Sequence, residues 1–136
     1  MTHVVLDTSA IVAFLRGEPE ADAIEAVLHQ AEELTMSAFT LFETRTVLLL
    51  RFGSQAASDF ELLALKLGVR VVPFDSEQCD LASAAYRRFG EGTGHPAQLN
   101  LGDCAAYALA LQLGEPLLYK GGDFVHTDIE PALRWP

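Results

Sequence analysis

An α/β fold built on a parallel sheet is predicted by two observations. Short β-rich runs alternate with longer helical ones along the 136 residues, as βα crossovers require. The run Val4-Val5-Leu6 is wholly apolar and ends directly on Asp7, and the carboxyl ends of parallel strands are where α/β sheets bind ligands. A chain of this length suits one domain, residues 1–136, with a sizeable core. Half its residues are hydrophobic, which favours a compact globule over disorder.

The elements follow in order. His3 to Leu6 reads as the first strand. Thr8 or Ser9 can cap a short helix ending near Gly17. Pro19 suits the first turn of a second helix running to about Ala31. Leu34 to Ser37 is a short second strand. Residues 38–52 read as a helix with apolar residues on more than one face. Gly53 ends it, Ser54 caps the next helix, and Gly68 stops that one. Val69 to Pro73 is the most strand-like run. Asp75 caps a helix to about Phe89, and residues 90–99 form a glycine-rich loop. Asn100 caps a helix ending at Leu113, with Gly114 past its end. Leu117 to Tyr119 is a fourth strand. Ile129 begins a weak fifth, placed at an edge by Pro131.

Composition narrows the function. No apolar run approaches the roughly 20 residues of a membrane span. The start, Met-Thr-His-Val-Val-Leu-Asp, lacks the basic region and cleavage site of a secretory signal. Cys79 and Cys104 read as reduced packing residues inside helices, in keeping with the cytoplasm. No Cys-x-x-Cys or paired-histidine motif offers a structural zinc site. Nine basic against 19 acidic residues give a net charge of −10. That opposes charge-driven nucleic-acid binding. It leaves room for an enzyme that reaches phosphate through bound metal, and it favours a basic partner.

Four acids carry the chemistry: Asp7, Glu43, Asp103 and Asp123. Each also has a local explanation. Asp7 could be a helix cap or turn acid. Glu43 shares its helical stripe with Thr40, Val47 and Leu50, so it is not on a freely solvated face; Arg45 and Arg51 stand at neither i+3 nor i+4. Asp103 lies in the first turn of its helix, where the dipole favours an acid. The rest of that helix, Cys-Ala-Ala-Tyr-Ala-Leu-Ala-Leu, is small and apolar all round, as in a central helix. Asp123 follows Gly121-Gly122, good turn chemistry. Converging carboxylates would raise one another's pKa values unless a cation intervenes. Hard oxygen ligands select Mg²⁺ or Mn²⁺, and such ions activate water and stabilise an in-line phosphoryl displacement. His3, His29, His95 and His126 have no evident nucleophile partner, so no Ser-His-Asp or Cys-His arrangement competes.

Four segments then become recognisable: Val-Leu-Asp-Thr-Ser-Ala (5–10), Ser-Ala-Phe-Thr-Leu-Phe-Glu (37–43), Leu-Asn-Leu-Gly-Asp-Cys-Ala-Ala-Tyr-Ala-Leu-Ala (99–110) and Leu-Leu-Tyr-Lys-Gly-Gly-Asp-Phe (117–124). In order and spacing they resemble the PIN domain of VapC-type toxins from bacterial toxin–antitoxin pairs, and Thr127-Asp128-Ile129 extends the match. The resemblance implies a three-layer α/β/α fold around a central parallel sheet. It implies a cytoplasmic, Mg²⁺- or Mn²⁺-dependent endoribonuclease. Asp7, Glu43, Asp103 and Asp123 fall on the family's four acidic positions, as catalytic and metal-binding residues, and Thr8 or Ser9 supports the site by hydrogen bonding. The implied partners are an RNA substrate, a second copy of the chain and a cognate VapB-type antitoxin. Such an antitoxin lays a tail across an apolar groove and brings a basic side chain near the acids. One departure is Gly122, where the family often has Asn or Asp. Asp123 is also the least constant of the four positions.

Rival readings are a catalytically silent PIN-fold binding module and a receiver-like phosphoacceptor domain. Asp7 and Lys120 fit the latter, but residues 50–58 lack the acceptor Asp in the required place. A haloacid-dehalogenase-type phosphatase would need an acid where Ser9 stands. Lys120 reads equally as a phosphate contact or a solvated strand-end cation. Arg16 reads as a surface helix-end residue, His95 as an uninvolved loop residue and Tyr107 as core. Phe39, Phe42 and Leu49 read as core or interface. Trp135 is either docked or an oligomer contact. An acidic ribonuclease still needs a local basic patch or a dimeric basic groove for RNA, and the sequence does not locate one.

Overall fold

The computed structural model describes residues 3–135. Its strands are β1 (His3–Leu6), β2 (Glu33–Ser37), β3 (Arg70–Val72) and β4 (Leu117–Leu118). Its helices are α1 (Thr8–Leu15), α2 (Ala21–Gln30), α3 (Ala38–Phe52), α4 (Ser54–Leu67), α5 (Ser76–Phe89) and α6 (Leu101–Leu113). A single 3₁₀ turn covers Phe124–His126. The strands form one parallel sheet in the order β3-β2-β1-β4, with Val4 opposite Leu34 and Val5 opposite Leu117. Alternation along β1 sorts the layers. Val4 and Leu6 enter one core with Ile11, Ile24, Leu48 and Phe60 of α1–α4. Val5 enters a second core with Phe89, Tyr107 and Leu109 of α5 and α6. Both sheet faces are therefore covered, which is why β1 carries no polar residue between Val4 and Leu6. The result is the expected three-layer α/β/α sandwich.

The chain adds β2 and β3 on one side of β1, then returns to add β4 on the other. The order reverses between β1 and β4, and the crevice beyond the carboxyl ends of such a pair is the natural ligand position. α6 packs against this seam. Cys104 to Ala110 are all buried, so the helix is apolar all round, as expected of a central element.

Several local expectations change. Neither Thr8 nor Ser9 caps α1. Asp7, in extended conformation, is the N-cap and accepts from the Ser9 N–H, while Thr8 is already helical and buried. α2 begins at Ala21, because Pro19 sits in a turn closed by a 2.9 Å bond from the Ala21 N–H to the Glu18 carbonyl. Ser54 is the first residue of α4 rather than its cap. Gly53, at φ 94°, ends α3 and precedes α4 as a single residue, a backbone conformation that disfavours any residue with a Cβ. The fifth strand does not form. Pro131 makes one isolated bridge to Leu117, and without an N–H it cannot extend a ladder. β4 also stops at Leu118, one residue short of Tyr119. Trp135 is docked: its Nε1 donates to the Tyr119 carbonyl at 2.9 Å. Tyr107 is core, as expected, and its hydroxyl donates to Asp128 at 2.6 Å. Cys104 packs in the core but Cys79 is exposed. Phe42 and Leu49 are 67% and 51% exposed, so neither is a core residue. No helix among the described residues is long and apolar enough to cross a membrane.

Candidate active site

The acid pocket is assembled from three elements that meet at the β1–β4 seam. Asp7 leaves the end of β1 and is 2% exposed. Its Oδ2 accepts from the Ser9 N–H at 3.0 Å and from Ser9 Oγ at 2.5 Å. Ser9 Oγ in turn accepts from the Lys120 N–H at 3.0 Å, so one hydroxyl joins the ends of β1 and β4. Glu43 comes from the middle of α3. Thr8 Oγ1 donates to its Oε1 at 2.7 Å and lies 2.9 Å from the hydroxyl of Thr44. Asp103 comes from the first turn of α6. Its Oδ2 accepts from the Asn100 N–H at 3.0 Å, and Asn100 Oδ1 accepts from the Asp103 N–H at 2.8 Å, a reciprocal capping box. The cap fixes the carboxylate at the helix N-terminus instead of leaving it free to rotate.

These side chains line one open cavity of about 300 Å³, with Asn100, Glu18, Lys120 and Arg51 completing the wall. Sequence reasoning brings Asp7, Glu43 and Asp103 together, and all three are there. Asp123 is not in the wall. It is exposed at the start of the 3₁₀ turn, although its charge still contributes to raising the pKa of Asp103. Lys120 is neither free nor merely solvated: its Nζ pairs with Glu18 at 2.7 Å. Arg45 pairs with Glu61, not with Glu43.

Gly102 was not foreseen as a site residue. A Cβ there would run into the Glu43 carboxylate. Glycine inside a helix costs about 0.5–1 kcal/mol relative to alanine; here it permits the close approach of α6 and α3. The signal in the sequence was a glycine placed in the first turn of an otherwise strong helix. Thr44, also missed, is a buried polar residue in a mostly apolar segment.

Electrostatics set this pocket apart. Burial pushes Asp7 up to about 6, against the lowering effect of the Ser9 donors, and the Glu43 charge adds to the rise. Burial also pushes Asp103 up to about 7, with Asp7, Glu43 and Asp123 all adding repulsion. Asp7 Oδ1 is buried and has no hydrogen-bond partner. Among the described residues no three or more His, Cys, Asp and Glu side chains are closed around a point that could hold a metal ion. Each of the three acids instead turns one oxygen to a donor near it: Asp7 to Ser9, Glu43 to Thr8 and Asp103 to Asn100.

The sequence pattern of the PIN domain matches residues 4–130. Ribonuclease VapC42 of Mycobacterium tuberculosis is 42% identical over 129 residues, covering 95% of this chain and 98% of that protein. Among solved structures, the sarcin-ricin loop cleaving toxin VapC20 of Mycobacterium tuberculosis superposes with a TM-score of 0.71 at 22% identity, over 93% of this chain and 95% of its own. VapBC-5 of the same organism, from the VapBC family of toxin-antitoxin systems, superposes at 0.62 and 20% identity, over 94% and 92%. The two structures bear on the fold, and the 42% identical relative bears on descent. With the acid pocket at the β1–β4 seam and the match running nearly end to end, the chain belongs to the PIN-domain family, among the VapC ribonucleases.

Proposed function

We propose that this chain is the toxin of a toxin–antitoxin pair, an endoribonuclease that hydrolyses RNA phosphodiester bonds with Mg²⁺ or Mn²⁺. The observation that carries the reading is the pocket in which Asp7, Glu43 and Asp103 face one another, where burial and the neighbouring acids push Asp7 and Asp103 up. The donor set fits a hard divalent ion: it is all oxygen, and Asp7 Oδ1 is buried without a partner. Such an ion, when bound, supplies activation of water and neutralisation of phosphate charge.

Asp7, Glu43 and Asp103 are the groups that would hold it, with Asp123, outside the wall, as the proposed fourth acid. Thr8 and Ser9 orient them, Thr8 through Glu43 and Ser9 through Asp7. The capping box keeps Asp103 aimed at the pocket. Deprotonation of Asp7 and Asp103 is required before either can act as a ligand, and a nearby divalent charge favours it. A silent binding module is the weaker reading, since it gives no reason to keep buried acids at a cost in stability.

A basic antitoxin and a second copy of the chain are the proposed partners, in the cytoplasm. The net charge of −10 supports a basic partner. The exposed Phe42, Leu50, Leu62 and Leu65 on α3 and α4 offer apolar surface for docking.

The test is cleavage of structured RNAs by purified protein with Mg²⁺ or Mn²⁺, with chelator, and with Asp7→Asn and Asp103→Asn. Cleavage is expected only in the wild type with metal. Activity that survives in chelator or in either variant overturns the mechanism.

A further inference from the structure

The chain must hold RNA although it carries a net charge of −10. Most of its cations are spent. Arg45, Arg70, Arg88, Lys120 and Arg134 are each paired with an acid. Even Lys120, in the wall of the acid pocket, is neutralised by Glu18.

Of the four cations with no ion pair among the described residues, Arg16, Arg51, Lys66 and Arg87, the first two stand together. Arg16 follows the last turn of α1 as its C-cap, and Arg51 lies in the last turn of α3. Both are exposed. Among the described residues neither forms an ion pair. They gather on one aromatic ring: the Arg16 guanidinium carbon stands 4.3 Å from the Phe52 centroid and that of Arg51 5.3 Å. Arg51 also lines the cavity that holds Asp7, Glu43 and Asp103. Two like charges beside one ring repel, and the ring's face and the two helix C-termini offset that repulsion. Stacking restrains both guanidinium groups while leaving their N–H donors available. That is the state in which arginine binds phosphate with least loss of side-chain freedom.

We infer that Arg51 and Arg16, steadied by Phe52, form a phosphate-binding site for the single-stranded RNA backbone next to the bond cut at the acids. The inference rests on the ribonuclease reading for its ligand. Arg51 reaches the phosphate nearer the acid pocket and Arg16 one farther along the strand. Neither residue takes part in bond cleavage. The pair is the local basic patch that the overall charge otherwise denies.

The experiment measures binding separately from cleavage. Fluorescence anisotropy with a labelled 20-nucleotide uridine homopolymer and a labelled stem-loop RNA, in chelator, reports affinity as salt is varied. Arg51→Ala is expected to weaken binding about 3- to 10-fold and lower the salt slope by about 0.7, the value for one phosphate contact on a single strand. Arg16→Ala/Arg51→Ala together should lower the slope by about 1.4. Arg70→Ala, far from the pocket on the β3 edge, should change neither quantity. With metal present, the loss in the arginine variants should fall on KM rather than kcat.

An unchanged slope in the double variant overturns the inference, and so does RNA binding that is unaffected while binding of a protein partner is lost. Equal melting temperatures for all variants confirm that folding is not the cause. If wild-type protein binds RNA with the expected slope yet never cleaves it, the ribonuclease reading fails while the phosphate site stands. If cleavage occurs but the arginines do not affect binding, the reverse holds.

Discussion

The two edges of one sheet handle acids in opposite ways. At the amino edge, Glu33 and Glu115 meet bases. His3 lies 3.3 Å from Glu115 and 3.9 Å from Glu33, and Arg70 lies 3.2 Å from Glu33. At the carboxyl edge, Asp7, Glu43 and Asp103 share a cavity, and burial and mutual repulsion raise both aspartates. The strands, helices and chain are the same, so acidity as such is not the cause. The difference is that the acids of the amino edge lie beside His3 and Arg70, whereas those of the carboxyl edge lie beside one another. A folded protein can hold such a site because the surrounding cores supply the stability it gives up.

Neutralising one side of this contrast is the strongest way to break it. Asp7→Asn or Asp103→Asn is expected to lower RNA cleavage by at least about 100-fold, comparable to losing one key electrostatic group in other enzymes. In chelator the same variants should melt at higher temperature than the wild type, because each removes a buried like charge. A variant that is both inactive and less stable would show that these acids are structural.

Titration sharpens the contrast with a definite sign. Asp7 and Asp103 have folded pKa values of about 6 and about 7, above the usual aspartate value of 3.8. Below pH 4 both the folded and unfolded chains keep these protons. Between about 4 and 7 the folded chain holds protons that the unfolded chain releases, so stability falls as pH rises. The expected loss in metal-free protein is on the order of 1–3 kcal/mol, reduced by the partial exposure of Asp103. Chemical denaturation at pH 5 and pH 8 checks it, and Mg²⁺ should restore more stability at pH 8 than at pH 5. No difference between the two would contradict the account of the pocket.

Geometry can be disturbed while every acid stays in place. Gly102→Ala puts a methyl group where the Glu43 carboxylate now lies. Glu43 must swing away, breaking its 2.7 Å bond from Thr8. Cleavage is expected to drop about 10-fold, given how steeply catalysis depends on positioning, although alanine is the better helix former. Full activity in this variant would mean that the position of Glu43 is unimportant.

The smallest effect belongs to the amino edge. Arg70→Ala removes an exposed ion pair with Glu33 and should cost at most about 0.5 kcal/mol. Cleavage should be unchanged in an RNA assay.

Local chemistry made much of this legible. The wholly apolar Val4-Val5-Leu6 identified a strand covered on both faces, and Asn100 with Asp103 three residues on identified a capped helix. What stayed hidden depends on contacts between distant segments. Thr8 looked like a cap because threonine often is one; its hydroxyl is instead committed to Glu43 and Thr44, 35 and 36 residues away. Asp123 matched by spacing, but the turn after Gly122 leaves it at the rim. Arg16 and Arg51 gave no signal as a pair, since 34 intervening residues separate them and only the packing of α1 on α3 brings Arg16 to Phe52, the neighbour of Arg51.

The docking of Trp135 has a practical side. Its indole holds the Tyr119 carbonyl; the next residue's N–H holds Ser9, and Ser9 holds Asp7. The carboxyl-terminal segment is thus three hydrogen bonds from Asp7. An affinity tag fused there pulls on that line, whereas one fused ahead of His3 hangs from the opposite edge of the sheet. Protein meant for kinetic work should carry its tag at the amino end.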